Sequence, residues 1–98
     1  MSDATKTMGK PLSGVGQAVS YTGTAGTSTS MPVGTSIVRI IATTDCFVAI
    51  TIAGTAAVAN TGVYLPALTA EYFPIDDGEK VSAIQVSAAG TIYISPMV

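Results

Sequence analysis

The chain has no histidine and no tryptophan, a single cysteine, and only four lysines or arginines against six aspartates or glutamates in 98 residues. Each scarcity removes a class of chemistry. Without histidine, the usual proton carrier at neutral pH and the commonest metal ligand are both missing. Cys46 has no second cysteine to pair with, so no internal disulfide and no cysteine metal cluster can form; its expected role is that of a small buried hydrophobe. A formal charge of −2 offers no basic footprint for phosphates, which argues against nucleic acid as a partner. No apolar run reaches the roughly 18 residues of a membrane span, so no membrane partner is expected either. The start, Met1-Ser2-Asp3-Ala4-Thr5-Lys6, lacks the charged-then-apolar order of a secretory leader, and synthesis in a cytoplasm is the expectation.

What fills the chain instead is small and neutral. Ala, Thr, Gly and Ser number 14, 14, 10 and 9, nearly half of the residues, while charged residues make up 10% against about 25% in an ordinary domain. The length suits one domain with a thin core, for which help from partners is unsurprising. Residues 1–34 read as an extended Gly/Ser/Thr-rich N-terminal arm with isolated apolar points at Leu12, Val15, Val19, Tyr21, Met31 and Val33. Such a stretch cannot offset its own ordering entropy by forming a core, so it is expected to lie against its own sandwich or a neighbouring subunit. Within it, alternation over 17–22 marks one candidate strand.

Residues 35–98 read as a β-sandwich body. Ile37–Ala42 and Cys46–Ile52 are β-branched runs, and Thr43-Thr44-Asp45 between them reads as a short hairpin connection. In the second run Val48, Ile50 and Ile52 share one face and Phe47, Ala49 and Thr51 the other. Ala53–Gly62 is a small-residue loop; Val63–Ala67 and Glu71–Ile75 are short extended pieces, each with a proline near its end. Asp76-Asp77-Gly78-Glu79 supplies a turn with Gly78 free to take positive φ. Lys80–Val86 and Thr91–Ser95 are the last strands, separated by Ser87–Gly90. Short strands at intervals of roughly 8 to 12 residues indicate a sandwich or small barrel. The expected fold is all-β, a small jelly-roll-like β-sandwich with the N-terminal arm in front of it. Periodicity alone does not separate jelly-roll from immunoglobulin-like strand orders.

Catalytic and ligand-binding signatures are hard to find. Asp76, Asp77 and Glu79, with Glu71 nearby, do not match the spacing of a calcium loop, and a solvated hairpin turn explains them. Serines and threonines have no histidine to activate them, no G-x-S-x-G occurs, and Gly9-Lys10-Pro11 lacks the upstream glycine and the following Ser or Thr of a phosphate loop. A thin sandwich without tryptophan leaves little room for a sugar cleft. No metal, no cofactor and no enzymatic activity are therefore expected. Arg39 is the only arginine, set in the middle of the most apolar strand. It is either an outward-facing residue of a half-buried strand, one half of an ion pair with Glu71 or Asp45, or part of a subunit interface. Of the remaining large side chains, Phe73 is expected in the core and at least one of Tyr64, Tyr72 and Tyr93 at an interface.

The ordered segments Val38-Arg39-Ile40, Thr44–Ile50, Tyr64-Leu65-Pro66-Ala67, Glu71–Ile75, Gly78–Val86 and Ala89–Met97 resemble small virion proteins of tailed bacteriophages, over about two thirds of the chain. The resemblance implies a head decoration or cement protein, a sandwich that binds the major capsid protein lattice on the virion surface after synthesis in the host bacterial cytoplasm. It further implies a homo-oligomer, a trimer before a dimer. Under that reading Leu12, Val15, Val19, Tyr21, Arg39, Tyr72 and Tyr93 are the candidate interface residues. A tail or head-tail junction component, and a small receptor- or carbohydrate-binding module on the virion surface, are the alternatives.

Overall fold

The computed structural model describes residues 15–98, and these form eight strands with no helix. They are β1 (Gln17–Tyr21), β2 (Gly26–Thr27), β3 (Ile37–Ala42), β4 (Cys46–Thr51), β5 (Val63–Leu65), β6 (Glu71–Pro74), β7 (Lys80–Gln85) and β8 (Gly90–Met97). Two four-stranded sheets result, one in the order β1-β8-β3-β6 and the other β2-β7-β4-β5, with every pairing antiparallel. Alternation places Val38, Ile40, Ala42, Ile92 and Ile94 of the first sheet against Cys46, Val48, Leu65, Val81 and Ala83 of the second. These side chains are small or β-branched, which suits a thin layer between two pleated surfaces. Phe73 packs partly buried against the same cluster, as expected for it.

Three sequence expectations are corrected or sharpened. First, Thr43–Asp45 is not a hairpin: β3 bonds to β6 and β8 while β4 bonds to β5 and β7, so the chain changes sheet at this corner. The same holds for the turn at 76–79, between β6 and β7, and for 86–89, between β7 and β8. Only β4 and β5 are both consecutive in sequence and hydrogen-bonded to each other. Turn residues satisfy the local backbone in either case, and which strand lies next door is a long-range outcome. Second, residues 15–34 of the stretch read as an arm lie against the sandwich itself, and the candidate strand over 17–22 is β1. β1 pairs with β8 along its whole length, from Gln17 opposite Ile94 to Tyr21 opposite Gly90. Beyond β2 the chain stays beside β7: Ser28 N donates to Val81 O at 2.8 Å, Met31 N to Glu79 O at 2.8 Å, and Gly78 N to Met31 O at 2.9 Å. Tyr21 and Met31 are 1% and 3% exposed and belong to the core. Weak side-chain burial is offset here by main-chain bonding to β7 and β8. Third, β4 ends at Thr51, and Ile52, expected to continue the strand on the face of Val48 and Ile50, is largely exposed. Residues 1–14 of the expected arm, Leu12 among them, lie outside the described residues.

The β3–β4 corner is tied by hydroxyls. The Tyr21 hydroxyl donates to Thr44 O at 2.8 Å, Thr43 exchanges bonds with Thr91 through N–H to O and Oγ1 from N–H, both at 3.0 Å, and Thr44 Oγ1 donates to Ala88 O at 3.0 Å. Gly90 must be glycine for this knot, because a Cβ there would stand 2.7 Å from the Tyr21 hydroxyl and from Thr43 Oγ1. Gly78 takes φ 84°, the positive value that its place in the turn anticipates. Buried hydroxyls are likewise satisfied: Ser28 Oγ accepts from Val81 N at 2.9 Å and donates to Thr29 O at 2.8 Å, and Ser82 Oγ accepts from Ala57 N at 2.9 Å. The last of these bonds straps the 52–62 connection over the outer face of the second sheet.

Candidate interaction surface

The outer face of the β1-β8-β3-β6 sheet collects three of the residues singled out by sequence. In β3 the side chains of Ile37, Arg39 and Ile41 alternate with the buried Val38, Ile40 and Ala42. Register sets Arg39 directly opposite Tyr72 on β6 and Ser95 on β8, and Ile41 opposite Tyr93, whose other neighbour is Ala18 on β1. Tyr93 is thus diagonal to Arg39, within reach of long side chains on one face of a sheet. Tyr72 and Tyr93 are 57% and 49% exposed, and Arg39 is half-buried. The outcome is a face of two amphipathic rings and one guanidinium, residue types enriched at protein interfaces, set among two isoleucines and small hydroxyls.

Neither carboxylate considered for Arg39 is set for it. Glu71 pairs with Ile40, one position along, so the pleat sends the two side chains to opposite faces. Asp45 is engaged elsewhere: its Oδ2 accepts from the Tyr64 hydroxyl at 2.7 Å and its Oδ1 from Ala67 N at 2.7 Å. The Ala67 N–H, and after it the Tyr64 hydroxyl, hold the Asp45 carboxyl below the usual carboxylate range, and the bond to Asp45 raises Tyr64 in turn. Tyr64 also meets Phe47 edge to face, with ring centroids 5.7 Å apart. Residue types alone gave no sign of this pinning of the β5–β6 connection, because Asp45 and Ala67 are 22 positions apart.

The other sequence candidates divide. Val15 is half-buried, and Val19 packs against the core. Tyr21 is corrected from interface to core: at 1% exposure with its hydroxyl bonded to Thr44, it has no surface to offer a partner. Cys46 is fully buried, and burial raises its thiol, so it is no nucleophile in the folded chain. Among the described residues no three His, Cys, Asp or Glu side chains group as metal ligands, and no helix is long and apolar enough to cross a membrane.

One concave feature escaped the sequence reading. A cleft of about 440 Å³ opens at the side of the sandwich, lined by Val48, Ala49 and Ile50 of β4, Thr61, Gly62 and Val63, and Phe73 from the opposite sheet. Its lining holds no charged group.

Comparison of the chain with protein-family models, with curated proteins and with solved structures returns no match in any of the three.

Proposed function

We propose that this chain is a non-enzymatic structural protein of a tailed-bacteriophage virion, a head decoration or cement protein of jelly-roll type that binds the assembled capsid lattice as a homo-oligomer. The observation that carries the reading is the strand order, β1-β8-β3-β6 over β2-β7-β4-β5. Eight strands interleaved between two four-stranded sheets, with six of the seven connections changing sheet, agree with two Greek keys folded into a jelly roll, an architecture used by viral capsid domains. An immunoglobulin-like sandwich divides its strands differently, as ABED and CFG.

The surface chemistry supports the same role. A cement protein needs a rigid body and a face for its lattice, and no active site; binding only the assembled shell shifts the equilibrium against disassembly, by about 2.7 kcal/mol per site at a hundredfold excess over Kd. The face around Arg39, Tyr72 and Tyr93 suits such a contact. The test is light scattering of the purified protein, alone and mixed with undecorated phage capsids, followed by sedimentation. Saturable co-sedimentation at a fixed ratio to the major capsid protein is expected, and a threefold site gives one trimer per site. Protein that stays in the supernatant beside intact capsids overturns the head assignment in favour of the tail or of a receptor-binding role.

A further inference from the structure

The side cleft has a structural origin. β5 is three residues long and pairs only with Cys46, Phe47 and Val48. Before it, Gly62 runs so close to β4 that a Cβ would stand 2.7 Å from Val48 O. Among the described residues, Ala49–Thr51 therefore have no strand neighbour on the β5 side, and the apolar cleft lies under that opening, floored by Phe73. Val63, on its rim, is 52% exposed. An open strand edge beside an apolar pocket is the arrangement that accepts an extended segment, main chain on the edge and one side chain in the pocket.

We infer that the occupant is the N-terminal segment, residues 1–14, of a second copy of this chain, with Leu12 seated in the cleft. Self-association is part of the function proposed above, and this inference rests on that part of it. Three observations select the occupant. The segment joins the fold just before β1, at the lateral edge of the sandwich opposite to β5 and β6, and fourteen extended residues span up to roughly 46 Å. It carries Lys6 and Lys10 against Asp3, whereas residues 15–98 as a whole carry Arg39 and Lys80 against Asp45, Glu71, Asp76, Asp77 and Glu79, a formal +1 on the segment and −3 on the body it would dock to. The path to the chain's own cleft is the poorer one. Across the second sheet it is occupied by the 52–62 connection, where Ala57 is buried on Ser82; across the first it has to pass the full width of four strands, β1, β8, β3 and β6. A neighbour placed edge to edge presents the cleft directly. The contact is head to tail, and it closes into a ring where the rotation between copies allows.

The experiment uses the full chain carrying single substitutions. Leu12→Cys and Val63→Cys chains are mixed and oxidised, each alone serving as control; the buried Cys46 stays in place. A disulfide-linked pair that needs both variants, at twice the 9.8 kDa chain mass, is expected. Absence of that species in the mixture overturns the inference, and so does a chain carrying both substitutions that closes only on itself. Val63→Arg, placed on an exposed rim, is expected to stay folded by circular dichroism, to lose any concentration dependence of its melting temperature and to reduce the mass in solution to that of one chain. An unchanged oligomer mass in that variant also overturns it. Capsid co-sedimentation is read separately: cross-linking without capsid binding removes the decoration role and keeps this contact, while capsid binding without cross-linking does the reverse.

Discussion

Replacing Tyr21 by phenylalanine removes one oxygen atom and leaves the ring. The hydroxyl donates to Thr44 O at 2.8 Å and accepts from Thr44 N at 3.3 Å, in a residue only 1% exposed. The variant therefore leaves both main-chain groups of the β3–β4 corner short of a partner without opening a ring-sized cavity. An orphaned buried polar group costs about 1–3 kcal/mol. Thr44 is only half-buried, so water compensates in part, and about 1–2 kcal/mol is the expected loss. For a chain of this length each kcal/mol moves the melting temperature by about 4–8 °C, which places the drop at roughly 4–16 °C. Thermal unfolding by circular dichroism reads it, with urea unfolding to check that m is unchanged. Tyr64→Phe is the control: it deletes the same atom from a tyrosine 49% exposed and should stay within about 0.5 kcal/mol of wild type. The oligomer mass of Tyr21→Phe should equal that of wild type. A Tyr21→Phe chain that melts like wild type, or one that changes its oligomer mass, would refute the assignment of Tyr21 to the core.

Truncation separates the N-terminal segment from the sandwich: removal of residues 1–14 should leave a cooperatively unfolding β protein, whereas removal of 2–34 takes β1, β2, Tyr21 and Met31 and should leave no cooperative transition by calorimetry. Because its hydrogen bonds lower the Asp45 carboxyl, Asp45 adds stability that is present above the unfolded carboxylate value and lost as pH falls through the lower folded one. Asp45→Asn should therefore narrow the gap to wild type on acidification, and a gap constant with pH would contradict the bonding to Ala67 and Tyr64. The Cys46 thiol should react with a disulfide reagent only on unfolding; prompt reaction in the native protein would show that the corner opens. Finally, Tyr72→Ser and Tyr93→Ser, both on exposed rings, should preserve the melting temperature and weaken capsid co-sedimentation by about tenfold or more, as loss of an aromatic contact worth over about 1.4 kcal/mol implies; undiminished binding by both would remove that face from the lattice contact.

The local pattern of the chain was enough to place most strands. β-branched alternation in Ile37–Ala42, Cys46–Ile52, Lys80–Val86 and Thr91–Ser95, and the turn residues between them, carry the positions of β3, β4, β7 and β8 to within two residues, because side-chain period and turn chemistry are properties of a few adjacent residues; β8 alone runs on, through Pro96 to Met97 beside β3. The same locality put Arg39, Tyr72 and Tyr93 on outward positions once the core face was known. Which strands are neighbours was decided only in three dimensions. Thr43–Asp45 and Asp76–Glu79 have the residues of hairpin turns, yet each joins two sheets: β3 and β6 lie side by side in one sheet, β4 and β7 in the other. The arm-like composition of 15–34 showed β1 as a candidate strand but concealed β2 and the pairing of both: its Thr, Ser and Gly bury little, and the bonds that order it come from β7 and β8, more than 50 residues further along. The Asp45–Tyr64–Ala67 tie and the side cleft exist only where those distant segments meet, so no window of sequence contains them.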